Sequence, residues 1–256
     1  MATEITMHDL LQATIDEGAS DLHVRAFMPP ELRVHGELVA IADEPSKRLW
    51  GDLCREALSG VDLILSAGDL PAKYLSFLTC FTNAPIVYVH GNHDDRYEKE
   101  PPEGCLSAEG KIVQVKGVRI LGLGGSIRYR PDGVNMYSEK EMASRIASLR
   151  RKIRSAGGFD ILLTHTPIRG FGDQEDPAHR GFECFGPLLD CWRPAVMVHG
   201  HVHQSYTGVH FIRQRDWNGI PVINASTSFE FDLPETPDRK EPTRSGRRML
   251  IKNSQF

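Results

Sequence analysis

Cysteine is scarce and scattered: Cys54, Cys80, Cys105, Cys184 and Cys191 are an odd number with no CxxC pair among them. Such spacing supplies neither a disulfide framework nor a zinc ribbon and fits a reducing compartment. No apolar run approaches the roughly 20 residues that span a bilayer. The opening Met1-Ala-Thr-Glu-Ile lacks the basic-then-apolar order of a signal peptide. The expected location is therefore cytoplasmic, with no membrane partner. Positive charge is not in excess either. Thirty Lys and Arg against 34 Asp and Glu leave a net charge of −4, which argues against long nucleic acid as a partner. The chain has no internal repeat and no GxxxxGK[ST] phosphate loop, and Gly122-Leu123-Gly124 alone is too little for a dinucleotide site.

What is present is the make-up of an ordinary globular chain, 40% hydrophobic and 25% charged over 256 residues, enough to bury a sizeable core. From residue 37 onward apolar strands alternate with amphipathic helices, the pattern of a layered α/β domain. Strands are expected at 38–42, 61–66, 86–90, 111–115, 118–123, 160–163 and 195–198. Two more are expected within 209–225, around an Asp216-Trp217-Asn218-Gly219 turn. Helices are expected at 45–58, 73–81, 138–156 and 182–192. The third opens on Ser138 with Glu141 three places on, and Met142, Ile146, Leu149 and Ile153 follow at helical spacing. Residues 37–233 form the expected domain, and 234–256 a polar, basic tail.

The first 36 residues differ in character. Residues 7–16 read as a short amphipathic helix, followed by Gly18-Ala-Ser-Asp-Leu-His23 and by Pro29-Pro-Glu-Leu-Arg-Val-His-Gly-Glu-Leu38. Residues 8–40 resemble the N-terminal segment of the secretion and twitching-motility ATPases. Without a phosphate loop the ATPase activity does not come with the resemblance, and the stretch is treated as an appended segment.

Four clusters carry the chemistry, each just after an expected strand: Gly68-Asp69, Gly91-Asn92-His93-Asp94, Thr164-His165-Thr166-Pro167 and His199-Gly200-His201-Val202-His203. Strand C-termini are where open α/β sheets place ligand sites. Asp, Asn and His are the oxygen and imidazole donors that suit Zn, Mn, Fe or Ni, and glycine beside a ligand lets the backbone turn sharply. One Gly-Asp is usually a turn and one buried His usually a satisfied core residue. Four clusters in this order are not explained that way.

In these motifs the chain resembles the calcineurin-like metallophosphoesterases over residues 37–230. The resemblance implies a four-layer α/β/β/α sandwich of two mixed sheets flanked by helices. It also implies two divalent metal ions and hydrolysis of a small phosphate mono- or diester by a metal-bound hydroxide. Carried over position by position, Asp69 bridges the metals. Asn92, His165 and His201 complete one metal, and His203 with the Asp of the first motif serves the other. His93 contacts the phosphate or protonates the leaving group, with Asp94 orienting it, while His199 has no ligand role.

The first motif, D-x-H in the family, is where this chain departs. Asp21-Leu22-His23 spells it but follows a helix-ending turn and lies too far ahead of Asp69. Asp43 follows a strand, and its distance from Asp69 matches the roughly 30 residues of a strand–helix–strand unit. Asp43 is therefore the expected ligand and Asp21 a decoy. Pro45 then stands where the family has a histidine, leaving one metal a protein donor short, a gap for water, Glu44 or another His. Arg128 and Arg130, flanking Tyr129, and His179 with Arg180 are the expected substrate contacts. The alternative is a phosphoesterase-fold protein-interaction module with an impaired metal site.

Overall fold

A computed structural model describes residues 12, 37–51, 54–203 and 211–234, together with the backbone of β1 (Asp21–His23) and β2 (Glu31–Arg33). Two mixed sheets lie face to face. The first runs β15 (Phe229–Asp232), β3 (Glu37–Ile41), β4 (Leu63–Ser66), β5 (Ile86–Tyr88) and β6 (Leu106–Ser107). All but β15 are parallel. The second runs β13 (Gln214–Trp217), β14 (Ile220–Asn224), β12 (Val196–His199), β11 (Ile161–Thr164), β8 (Val118–Leu123) and β7 (Ile112–Val115). Its central four strands are parallel and its two edge strands antiparallel. A short parallel pair, β9 (Ser126–Ile127) and β10 (Met136–Tyr137), stands apart.

Side-chain alternation along each strand builds three cores. Leu38, Ala40, Ala42, Leu63, Leu65 and Val87 of one sheet meet Ile120, Ile161, Leu163, Val196 and Val198 of the other between the sheets. The opposite face of the first sheet, Val39, Ile41, Ile64 and Ile86, packs on helices α1 (Cys54–Ala57) and α2 (Ala72–Leu78) through Cys54, Tyr74, Leu75 and Leu78. The outer face of the second packs on α3 (Glu139–Ser155) and α4 (Phe185–Trp192). This is the expected four-layer α/β/β/α sandwich.

Helix α3 shows the balance of forces. Ser138 and Glu141 form the expected capping box, and Met142, Ile146, Leu149 and Ile153 are buried. The cap contributes about 1 kcal/mol and each buried side chain about 1.5–3 kcal/mol, so packing dominates. The helix expected over 45–58 is instead broken into a 3₁₀ turn, Lys47–Leu49, and the short α1. Gly51 between them has φ +82, which no helix accommodates. Among the described residues, no helix is long and apolar enough to cross a membrane.

Candidate metal centre

The clusters read from the sequence converge at the C-terminal ends of β3, β4, β11 and β12 and of the loop after β5. His165 Nε2 is the common neighbour. It lies 3.1 Å from Asn92 Oδ1, 3.1 Å from His201 Nδ1 and 3.3 Å from Asp69 Oδ2. Asp69, His165 and His201 form a group whose donor atoms all lie within 4.8 Å of one another. Donors held 2.0–2.1 Å from a tetrahedral ion stand about 3.3 Å apart, so these separations suit a shared cation.

Hydrogen-bond chemistry makes the same case. His165 Nδ1 donates to the carbonyl of Ala67 at 2.7 Å, and His201 Nε2 to that of Ala178 at 2.7 Å. Each ring therefore turns its lone-pair nitrogen toward the other, beside the acceptor oxygens of Asn92 and Asp69. Four lone pairs without a positive charge between them repel. Burial alone would lower the His165 pKa, but with no ion present the carboxylates of Asp69 and Asp43 outweigh it and raise it to about 9, so that a proton on Nε2 takes the place a cation would otherwise fill. The cluster calls for positive charge. Asp43 adds an unsatisfied atom: its Oδ1 accepts from the His201 backbone N–H at 2.8 Å, while its buried Oδ2 has no hydrogen-bond partner among the described residues. An unpaired buried carboxylate oxygen is costly, and a cation relieves it.

Backbone strain marks the same spot. Asp43 (φ +66), Asp69 (φ +57) and His201 (φ +71) all adopt the left-handed conformation, which costs most residues about 1–2 kcal/mol. The turns close because glycines flank them. A Cβ on Gly91 would collide with the Asp69 carboxylate, and one on Gly200 would lie 2.9 Å from Asp43 Oδ1.

The remaining expected residues fall as follows. His203 Nε2 lies 3.9 Å from Asp43 Oδ1, and its Nδ1 is 3.4 Å from Glu44 Oε1, so Glu44 sits behind the ring. His93 is exposed, with its backbone N–H on Asp69 Oδ1 at 2.8 Å. Asp94, expected to orient His93, has its Oδ2 on the backbone N–H groups of Asp69 and Gly91, both at 2.7 Å, tying the two loops together. Burial and the Asp69 charge raise its pKa to about 7. His199 is buried on the carbonyl of Gly200, with a pKa lowered to about 4 by desolvation.

A cavity of about 300 Å³ opens over the cluster, lined by Asp43, Asp69, Asn92, His93, Tyr129, Ala178, His179, His201 and His203. His179 is thus where the sequence suggested. The three arginines are otherwise engaged: Arg128 with Glu141 and the Met136 carbonyl, Arg130 over the Tyr129 ring, and Arg180 with the Glu175 carbonyl. Sequence reasoning missed Asn224, whose side chain donates to the carbonyl of Val202 at 2.9 Å and so braces the turn between His201 and His203. Asn-Ala-Ser at a strand end gives no signal of that role. Asp21–His23 pairs with Glu31–Arg33 in a ladder separate from both sheets.

A helix-flanked double-sheet sandwich with an Asp/Asn/His cluster at its strand ends defines the class. The chain belongs to the calcineurin-like phosphoesterase family, whose model matches residues 19–205. One crystal structure aligns with a TM-score of 0.58 at 14% identity, covering 78% of this chain and 95% of its own. TT1561 of Thermus thermophilus aligns with a TM-score of 0.50 at 15% identity, covering 75% and 89%. Vps29 of Chaetomium thermophilum aligns with a TM-score of 0.33 at 13% identity, covering 74% and 70%. At such identities the first two show the fold alone. No curated protein matches the chain.

Proposed function

We propose that the chain is a metal-dependent phosphoesterase acting on a small phosphate mono- or diester, with two divalent ions held by its own side chains. The observation that carries the reading is the convergence of Asn92, His201 and Asp69 acceptor atoms on His165 Nε2, beside an Asp43 Oδ2 that has no hydrogen-bond partner among the described residues. Asn92, His165 and His201 would hold one ion and Asp43 and His203 the other, with Asp69 available to both. When bound, such ions polarise phosphoryl oxygens and lower the pKa of water. Mn, Fe, Zn and Ni all suit these donors.

The chain's own residues do the rest. Asp94 fixes the Asp69 and Gly91 backbones, so the Asp69 carboxylate is held from behind. His93, exposed at the cavity wall, faces incoming substrate and protonates the departing oxygen. Tyr129 and His179 also line the cavity and contact the ester group.

Pro45 stands exposed beyond Asp43 and offers no donor. Glu44, behind His203, serves that ring rather than the gap. The Asp43–His203 site is therefore the weaker one. Isothermal titration of metal-stripped protein with Mn²⁺ should show two unequal steps, with aryl-phosphate hydrolysis rising as the second fills, and Pro45→His should tighten the second step. Equal, tight steps would show that another donor completes the site. Absence of both metal uptake and hydrolysis would favour an interaction module.

The family match begins just ahead of Asp21, and the reading of Asp43 as the first-motif residue is supported by its contacts with the His201 backbone and the His203 ring. The double variant Asp21→Ala/His23→Ala should accordingly keep its metal content and turnover. Metal loss measured by elemental analysis of that variant would place the N-terminal pair in the site.

A further inference from the structure

Residues 169–181, between β11 and α4, carry their own hydrogen-bond frame. At the neck, Phe182 N donates to the Pro167 carbonyl at 3.1 Å and Arg169 N to the Phe182 carbonyl at 3.2 Å. Asp173 ties the loop's two ends: Oδ1 accepts Gly170 N at 2.8 Å, and Oδ2 accepts Gly181 N at 3.0 Å and Arg169 Nη1 at 2.9 Å. Asp176 shapes the tip. Its Oδ1 accepts the backbone N–H of Ala178 at 3.0 Å and of His179 at 3.2 Å, and it also takes His179 Nδ1 at 2.9 Å.

The tip then meets the cluster. The Ala178 carbonyl accepts from His201 Nε2 at 2.7 Å, and the His179 ring centroid lies 5.3 Å from that of His201. A neutral imidazole carries its proton on either nitrogen, and the partner of one nitrogen decides what the other offers. Here a backbone carbonyl holds the proton on Nε2 and leaves the Nδ1 lone pair aimed at His165 Nε2, 3.1 Å away. Partners of this kind behind a metal-binding histidine are worth 10–100-fold in metal affinity.

We infer that loop 169–181 is a positioning element in which Asp173 and Asp176 hold the Ala178 carbonyl against His201, so that one loop sets both the substrate cavity wall and the affinity for metal. The inference rests on the proposed metal site. Because Ala178 and His179 line the cavity while the same tip holds His201, substrate binding and metal binding are coupled, and coupling of this kind is reciprocal.

The test uses the full chain. Asp173→Ala and Asp176→Ala should each weaken Mn²⁺ or Zn²⁺ binding about 10–100-fold by calorimetry, with the melting temperature of the metal-free protein close to that of the parent. Asp176→Asn keeps an oxygen for the two backbone N–H groups and should restore most of the affinity. In metal-free parent protein, nitrogen NMR should show the His201 proton on Nε2. Unchanged affinity in both alanine variants, or an equal loss in Asp176→Asn, would overturn the inference. So would a His201 proton on Nδ1. That last readout needs no metal, so a chain that takes up none would sink the proposed function while the position of the proton still decides the role of the loop.

Discussion

Asp69→Asn should strip the chain of divalent metal and of phosphate-ester hydrolysis while leaving the fold in place. Asparagine tolerates the left-handed backbone at φ +57 better than alanine does, so the substitution isolates the carboxylate. Asp69 Oδ1 accepts the His93 backbone N–H at 2.8 Å, and Oδ2 faces His165 Nε2 at 3.3 Å. An amide cannot serve both sides. One orientation sets its NH₂ against the His93 N–H, and the other turns it toward the point where the metal donors converge. The negative charge disappears in either case. Affinity should fall by more than about a hundredfold, beyond the loss typical of a residue that only supports a ligand. Elemental analysis and an aryl-phosphate assay read the outcome. Turnover near that of the parent would show that the site is elsewhere.

His93→Ala should do the opposite to metal. The contact of His93 with the cluster is made by its backbone N–H, which alanine keeps, and its ring lies outside the group formed by Asp69, His165 and His201. Metal content should stay near that of the parent while turnover falls roughly 10²–10⁴-fold, the scale of a lost general acid. A substrate with an activated leaving group, which needs no proton, should lose less. Parallel loss of metal and activity would make His93 a ligand.

The residues that lay legible in the sequence are those whose role follows from local pattern. Ser138 and Glu141 announced α3, Asn218-Gly219 announced the turn between β13 and β14, and the Gly-Asp, Gly-Asn-His-Asp and His-Gly-His-Val-His phrases announced the ends of strands. Asp43, which the structure places beside the cluster, was singled out by the strand before it and its distance from Asp69, since Glu44-Pro45 breaks the family phrase. What stayed hidden depends on contacts remote in sequence. Strand β15 has a short, half-buried Phe-Glu-Phe-Asp alternation that gains meaning only beside β3. Asn224 matters because it reaches Val202, and Ala178 because its carbonyl reaches His201. A backbone carbonyl leaves no mark in a sequence. The arginines show another limit: Arg128 and Arg130 were singled out after a glycine-rich stretch and Arg180 by its place between two motifs, and no local pattern shows the carboxylate, carbonyl and ring partners that lie beside them.

The pairing of β15 with β3 bears on how the molecule is made. β3 carries Asp43 at its end, and its two neighbours are β4, next in the chain, and β15, near residue 230. The same late segment sends Thr227 N to the carbonyl of Ala42 at 2.9 Å, and Ser226 bridges Ala42. On a ribosome the first half of the sheet emerges long before this partner, and until it arrives β3 has an open edge. Pairings of such long range are slow to form. The support behind Asp43 is therefore completed only once residues 226–232 have been made, and a chain cut short before residue 226 would expose a sticky strand in place of that support.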